Sequence, residues 1–159
     1  MKMKVVLIVV GKTNEKYFID AVNEYVSRLK HFFSFEMTVV PDIKNTKHLH
    51  PEQIKEKEGV EIVNRIEPGD YVVLADECGK RFTSVKFAAW MEKRMLGSEK
   101  RLVFVIGGAY GFSQKIYDLA HEKISLSDMT FSHQMVRLIF TEQLYRAGSI
   151  LKGLPYHHE

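Results

Sequence analysis

Five short runs with strand character, at residues 5–10, 35–40, 71–75, 102–106 and 123–126, alternate with segments whose apolar residues recur every three or four positions. That alternation constrains the fold more than any other feature of the chain. Runs such as VVLIVV (5–10) and LVFVI (102–106) are apolar at successive positions, so both faces of each strand need cover. Helices between consecutive strands supply that cover on both sides of a parallel sheet. The expected fold class is therefore α/β with a parallel sheet.

The helical segments follow from their periodicity. Residues 14–30 place Tyr17, Phe18, Ala21, Val22, Tyr25, Val26 and Leu29 on one face, with Thr13 or Asn14 as the cap. Pro41 closes the second strand, and residues 42–50 form a polar, lysine-rich loop. Pro51 suits the first turn of a helix reaching about residue 66. Its apolar side is thin (Ile54, Ile62, Val63, Ile66), so a solvated helix is expected. Pro68-Gly69-Asp70 is a turn. Residues 76–80 leave the third strand, and Thr83 or Ser84 starts a helix that Gly97 ends. A short helix is expected over 113–120 and a long one over 133–151. The core stripe of the long helix reads Val136, Ile139, Phe140, Gln143 or Leu144, Ala147, Ile150 and Leu151. Neither repeat nor linker interrupts the 159 residues, so one domain spanning 1–159 is expected.

Composition narrows the setting. The single cysteine, Cys78, cannot form an internal disulfide, and a reducing, cytoplasmic location fits. The apolar run at 5–10 is broken by Gly11 and Lys12, which reads as a buried strand rather than a leader peptide. No run approaches the roughly 20 apolar residues that span a bilayer, so no membrane partner is expected. A formal charge of +3 permits a nucleic-acid partner without demonstrating one. The pairs His48-x-His50 and His157-His158 lack further ligands at metal-binding spacing, so no metal is expected and exposed histidines are.

The stretch RLVFVIGGAYGFS (101–113) carries the chemistry question. A strand that ends in glycines and opens a helix often holds a nucleotide. No Lys-Ser/Thr pair follows, so it is not a P-loop, and G-G-x-x-G after the fourth strand is not a dinucleotide fingerprint. On spacing alone it is equally a tight strand-to-helix turn. Downstream, residues 125–132 bring hydroxyls at Ser125, Ser127, Thr130 and Ser132, which suit the lining of a small polar ligand.

LADECGKRF, VIGGAYGFS, ISLSDMTFSHQMVRLIFTEQLYRA and the closing PYHHE together resemble the SPOUT class of RNA methyltransferases, over the whole chain. Within it the resemblance is to small members that modify large-subunit ribosomal RNA and carry no added RNA-binding domain. It implies a parallel sheet whose C-terminal part is threaded into a trefoil knot, an exception to the usual avoidance of threading. It also implies S-adenosylmethionine as cofactor, a homodimer with its active site between the copies, and a pseudouridine N3 in assembled ribosomes as the target.

Carried across by residue, the resemblance assigns Leu74, Ala75 and Asp76 to the first cofactor loop. Gly107 and Gly108 fall in the second, where missing side chains let backbone approach the ligand. Leu126, Ser127, Asp128, Met129, Thr130, Phe131 and Ser132 form the third. The matched catalytic candidates are Arg146, as stabiliser of uracil oxygens or a phosphate, Tyr156, to stack on or orient the base, and His157, as proton acceptor. The bland alternatives are a surface ion pair for Glu142 and Arg146 and a frayed end for Tyr156, His157 and His158. Cys78 is expected to be a bystander. Lysines between 44 and 57, with Lys80 and Arg81, suit rRNA phosphates or simple solubility. Two rival classes are a flavodoxin-like nucleotide-binding domain without transferase activity and a non-catalytic ribosome-associated protein.

Overall fold

The computed structural model describes residues 3–158; Met1, Lys2 and Glu159, within the expected domain span, lie outside the described residues. Elements follow in the order β1 (Lys4–Val10), α1 (Lys16–Leu29), β2 (Ser34–Val40), α2 (Pro51–Val63), β3 (Tyr71–Arg81), α3 (Ser84–Met95), β4 (Arg101–Ile106), α4 (Gln114–Leu119), β5 (Glu122–Ser125) and α5 (Met135–Leu151). A single 3₁₀ turn, Thr46–His48, sits in the expected loop after β2.

All five strands pair in parallel in the order β2-β1-β4-β3-β5. The period-two geometry of β1 divides its side chains between two cores. Val5, Leu7 and Val9 join the cluster that includes Leu29, Met91, Phe104 and Phe140, under α1, α3 and α5. Val6, Ile8 and Val10 join Ile62, Val103 and Ile116, under α2 and α4. The strand is apolar at every position because it has no solvent face.

Four local expectations need correction. Helix α1 begins at Lys16 with Glu15 as its N-cap and no side-chain cap bond. Of the two expected caps, Thr13 Oγ1 accepts from Arg137 instead, and the Asn14 backbone N–H donates to Gln134 Oε1. Helix α2 ends at Val63, and it is not merely solvated, because Ile54, Glu58, Gly59 and Ile62 are buried. His50 caps it, its Nδ1 accepting the Glu52 amide at 3.2 Å. Strand β3 continues past Ala75 to Arg81 instead of ending there. Residues 76–79 bulge, and pairing with β5 resumes at Lys80 and Arg81. Gly79 makes that bulge feasible, since a Cβ there would lie 2.5 Å from the Ile124 amide nitrogen.

Helix α5 packs between α1 and α3, so its buried set is broader than one stripe. Phe140, Leu144 and Ala147 are buried as expected, but Val136, Ile139, Ile150 and Leu151 are half-buried. Arg137, Thr141, Gly148 and Ser149 are buried in their place. Gly148 admits the Phe32 ring, which an added Cβ would approach to 2.5 Å. Among the described residues, no helix is long and apolar enough to cross a membrane.

Candidate active site

A cavity of about 570 Å³ opens beyond the C-terminal ends of β3, β4 and β5. Ligands of open α/β sheets bind at this edge, and the volume suits a nucleoside-sized molecule. Three separate segments close it. Ala75 and Asp76 come from β3, Gly107 and Gly108 from the turn after β4, and Leu126, Ser127, Met129, Thr130, Phe131 and Ser132 from the link between β5 and α5. Of the sequence-based candidates, Leu74 and Asp128 do not line it. The Leu74 side chain is fully buried in the α2/α4 core. Asp128 points outward and pairs with Arg81, which ties the third segment to the end of β3. Residues that the sequence left out also line the cavity, notably Cys78, Tyr110, Phe112, Tyr117 and Val136.

The polar groups of these segments mostly shape the walls. Asp76 accepts the Cys78 amide at 2.8 Å and the Tyr117 hydroxyl on its other oxygen. Burial, followed by that bond to Asp76, pushes the Tyr117 hydroxyl above its ordinary range, so it stays a donor. Ser125 donates to the Ser127 carbonyl, Ser127 Oγ accepts the Met129 amide, and Ser132 Oγ accepts the Met135 amide. The glycines are small for an unexpected reason. A Cβ on Gly107 would meet the Phe112 ring at 3.0 Å, and one on Gly108 would meet the Glu58 carboxyl oxygens at 2.7 and 2.8 Å. The protein itself fills the side-chain direction. Gly111, at φ +84°, completes the turn, its amide donating to the Gly108 carbonyl.

Arg146, Tyr156 and His157 come together in a second place. Arg146 Nε and Nη2 donate to Glu142 Oε1 at 3.1 and 2.5 Å, and the guanidinium lies 4.9 Å from the centre of the Tyr156 ring. Tyr156 donates its one hydroxyl proton to Glu142 at 3.0 Å, so Tyr25 is the donor in the 3.1 Å contact between the two tyrosines. Burial, followed by these bonds, holds the Tyr156 proton far above its usual range. Arg146 Nη1 lies 3.1 Å from His157 Nδ1. A guanidinium has no lone pair to offer, so in that contact His157 Nδ1 is the acceptor. The tail is thus part of a network reaching α1, and Glu142–Arg146 is more than a surface pair, its side chains only 18% and 23% exposed.

The two groups do not meet within one chain. Val136, at the start of α5, lines the cavity, and Arg146 lies ten residues on. At the rise of an α-helix that is about 15 Å.

Two buried charged residues were also missed. Arg137, fully buried, donates to the carbonyls of Val10 and Gly11 at 2.5 and 2.8 Å. Glu58 backs the glycine turn. An amphipathic pattern hides both, because a charged residue on a helix is read as solvated by default.

Comparison with known proteins agrees with this architecture. Residues 3–157 match the family model described as predicted SPOUT methyltransferase. Proteins named ribosomal RNA large subunit methyltransferase H from Bacteroides fragilis and Phocaeicola vulgatus are each 64% identical, over 99% of this chain and all of theirs. The protein of that name from Christiangramia forsetii is 53% identical over 98% of this chain and 99% of its own. The crystal structure of a probable methyltransferase from Bordetella pertussis superposes with a TM-score of 0.53 at 11% identity, covering 92% of this chain and 95% of that one, a likeness of fold. With the parallel sheet, the family match and the full-length relatives in agreement, this chain belongs to the SPOUT methyltransferase family.

Proposed function

We propose that this protein transfers a methyl group from S-adenosylmethionine to N3 of a pseudouridine in large-subunit ribosomal RNA. The observation that carries the reading is the convergence of residues 75–76, 107–108 and 126–132 on one cavity, in a chain whose full-length relatives are named for methylation of that RNA. When bound, S-adenosylmethionine supplies a methyl group on a positively charged sulfur. Ile106, Phe112, Leu126 and Val136 give the cavity apolar walls, and the backbone of 107–108 and 126–132 gives it hydrogen-bonding groups without added charge. That set suits an adenosine better than a phosphate.

The acceptor nitrogen must lose a proton as it attacks, so charge develops on the uracil oxygens. Arg146 is the cation assigned to that charge. His157 Nδ1 lies against the same guanidinium and is assigned as the proton acceptor once Arg146 turns to the substrate. Tyr156 offers its ring face and keeps its proton. The separation of about 15 Å between cavity and tail supports a homodimer in which the tail of one copy serves the cavity of the other. Lys44, Lys47 and Lys80 are exposed and are assigned to rRNA phosphates. The reading carries the family's knotted threading of the C-terminal part and a cytoplasmic setting with it.

Thermal unfolding tests the cofactor assignment. S-adenosylmethionine raises Tm, whereas ATP, FMN and NAD leave it unchanged. Stabilisation by one of the latter instead would replace this reading with a nucleotide-binding one. Ribosome binding without methyl transfer would replace it with the non-catalytic one.

A further inference from the structure

Glu58 is 8% exposed, and its Oε1 is fully buried with no hydrogen-bond partner. The carboxyl lies in the side-chain direction of Gly108, a lining residue, and Glu58 does not itself line the cavity. Its neighbour Gly59 is equally constrained, since a Cβ there would come within 2.7 Å of Ser113 Oγ. Ser113 is itself buried and unpartnered, and it precedes α4 without capping it. The pair Glu58-Gly59 on α2 therefore braces both ends of the glycine turn. An unpartnered buried carboxyl is costly, and nothing in the packing of α2 requires one.

Other carboxylates near the cavity are committed or screened. Asp76 is bonded to Tyr117 and the Cys78 amide, Asp128 is paired with Arg81, and Glu77 is exposed to water. Burial, and secondarily the charge of Asp42, raises the Glu58 pKa. Asp42 reaches it from the loop after β2, and Asp42 also acts on Arg137 of α5, whose guanidinium is bonded to main-chain carbonyls. Among the described residues, no cation is paired with Glu58.

Resting on the function proposed above, we propose that Glu58 is a positioning residue that supplies the counter-charge for the sulfonium of the methyl donor from behind Gly108, and so makes the site prefer S-adenosylmethionine to its product, whose sulfur is neutral. A positive sulfur bound against Gly108 would lie across the backbone from Glu58, where the low dielectric would preserve their attraction. Binding the donor favours the ionised form of Glu58. In the transfer, the carbon–sulfur bond breaks with its electron pair staying on sulfur, the methyl group joins N3, and the N3 proton leaves. The sulfur is then neutral, and the attraction that held the donor is gone. Product departure follows from the same electrostatics.

Titration calorimetry of the intact protein with S-adenosylmethionine and S-adenosylhomocysteine tests this, in two mildly acidic buffers of different ionisation enthalpy. The expected result is proton release with the donor and less with the product. Glu58→Gln abolishes that difference and weakens the donor about ten-fold, the equivalent of one pKa unit of lost interaction, while leaving the product nearly unchanged. Asp42→Asn moves the proton release to lower pH. Equal proton release with both ligands in the unaltered protein, or equal loss of both in Glu58→Gln, overturns the inference alone. Failure of the unaltered protein to take up either ligand overturns the proposed function and this inference with it.

Discussion

The cavity and the tail network are built from opposite materials. At the cavity, three segments distant in sequence converge, and several of their polar side chains are bonded within the protein: Asp76 to the Tyr117 hydroxyl, Ser127 to the Met129 amide, Ser132 to the Met135 amide. What remains for a ligand is backbone, apolar wall and a few side chains such as Thr130 and Tyr110. At the tail, a single carboxylate oxygen of Glu142 takes bonds from Arg146 and Tyr156, and Arg146 brings a positive charge to the tail residues, with Arg28 over Tyr25 and Tyr145 beyond it. On the proposed function, one region holds a molecule and the other presents a charge. Binding and chemistry are thereby separable, and substitutions in the two regions should fail in different ways.

The largest separation is expected at Arg146. Arg146→Ala removes the stabilising cation and should lower kcat by about 10²- to 10³-fold, while the affinity for S-adenosylmethionine stays within about two-fold. Single-turnover methylation with parallel calorimetry reads both. A parallel loss of donor affinity would merge the two regions into one.

Gly108→Ala should show the converse pattern. The added Cβ lands within 2.7 Å of the Glu58 carboxyl, so either the buried side chain or the turn must move. Donor affinity should fall by more than about ten-fold and stability by roughly 1–3 kcal/mol, as for overpacked interiors. At saturating donor, kcat should recover most of its value. The smallest effect is expected at Asp128→Asn. Its pair with Arg81 is exposed, 75% and 67%, so donor Kd should change by less than about three-fold and Tm hardly at all. A larger loss would make that ion pair a working part of the cavity.

The same contrast explains what sequence could and could not reveal. Strands β1 and β4 were readable because burial on both faces leaves an unbroken apolar run. The extension of β3 was not, since residues 76–81 are polar and pair with β5 only across a bulge. On α5 a single-stripe reading found Phe140, Leu144 and Ala147 but missed Arg137, whose partners at Val10 and Gly11 lie more than 120 positions away. The cavity segments were identified through motif resemblance, and most of them do share one cavity. Leu74 and Asp128 fell away because motif matching assigns whole stretches, whereas strand alternation and the pull of Arg81 decide which side chains face inward. Tyr25 in the tail network had no local signal, standing 131 positions from Tyr156.

The central claim is that the cavity of one copy works with the tail of another. It is tested most directly by mixing two crippled proteins, Arg146→Ala and Gly108→Ala, under conditions that allow subunits to exchange and with donor too dilute to fill the altered cavity. Each alone is nearly inactive. In the mixture, half of the dimers are hybrids with one intact pairing each, so about a quarter of the unaltered activity should return. A mixture that exchanges subunits and stays inactive would contradict the account.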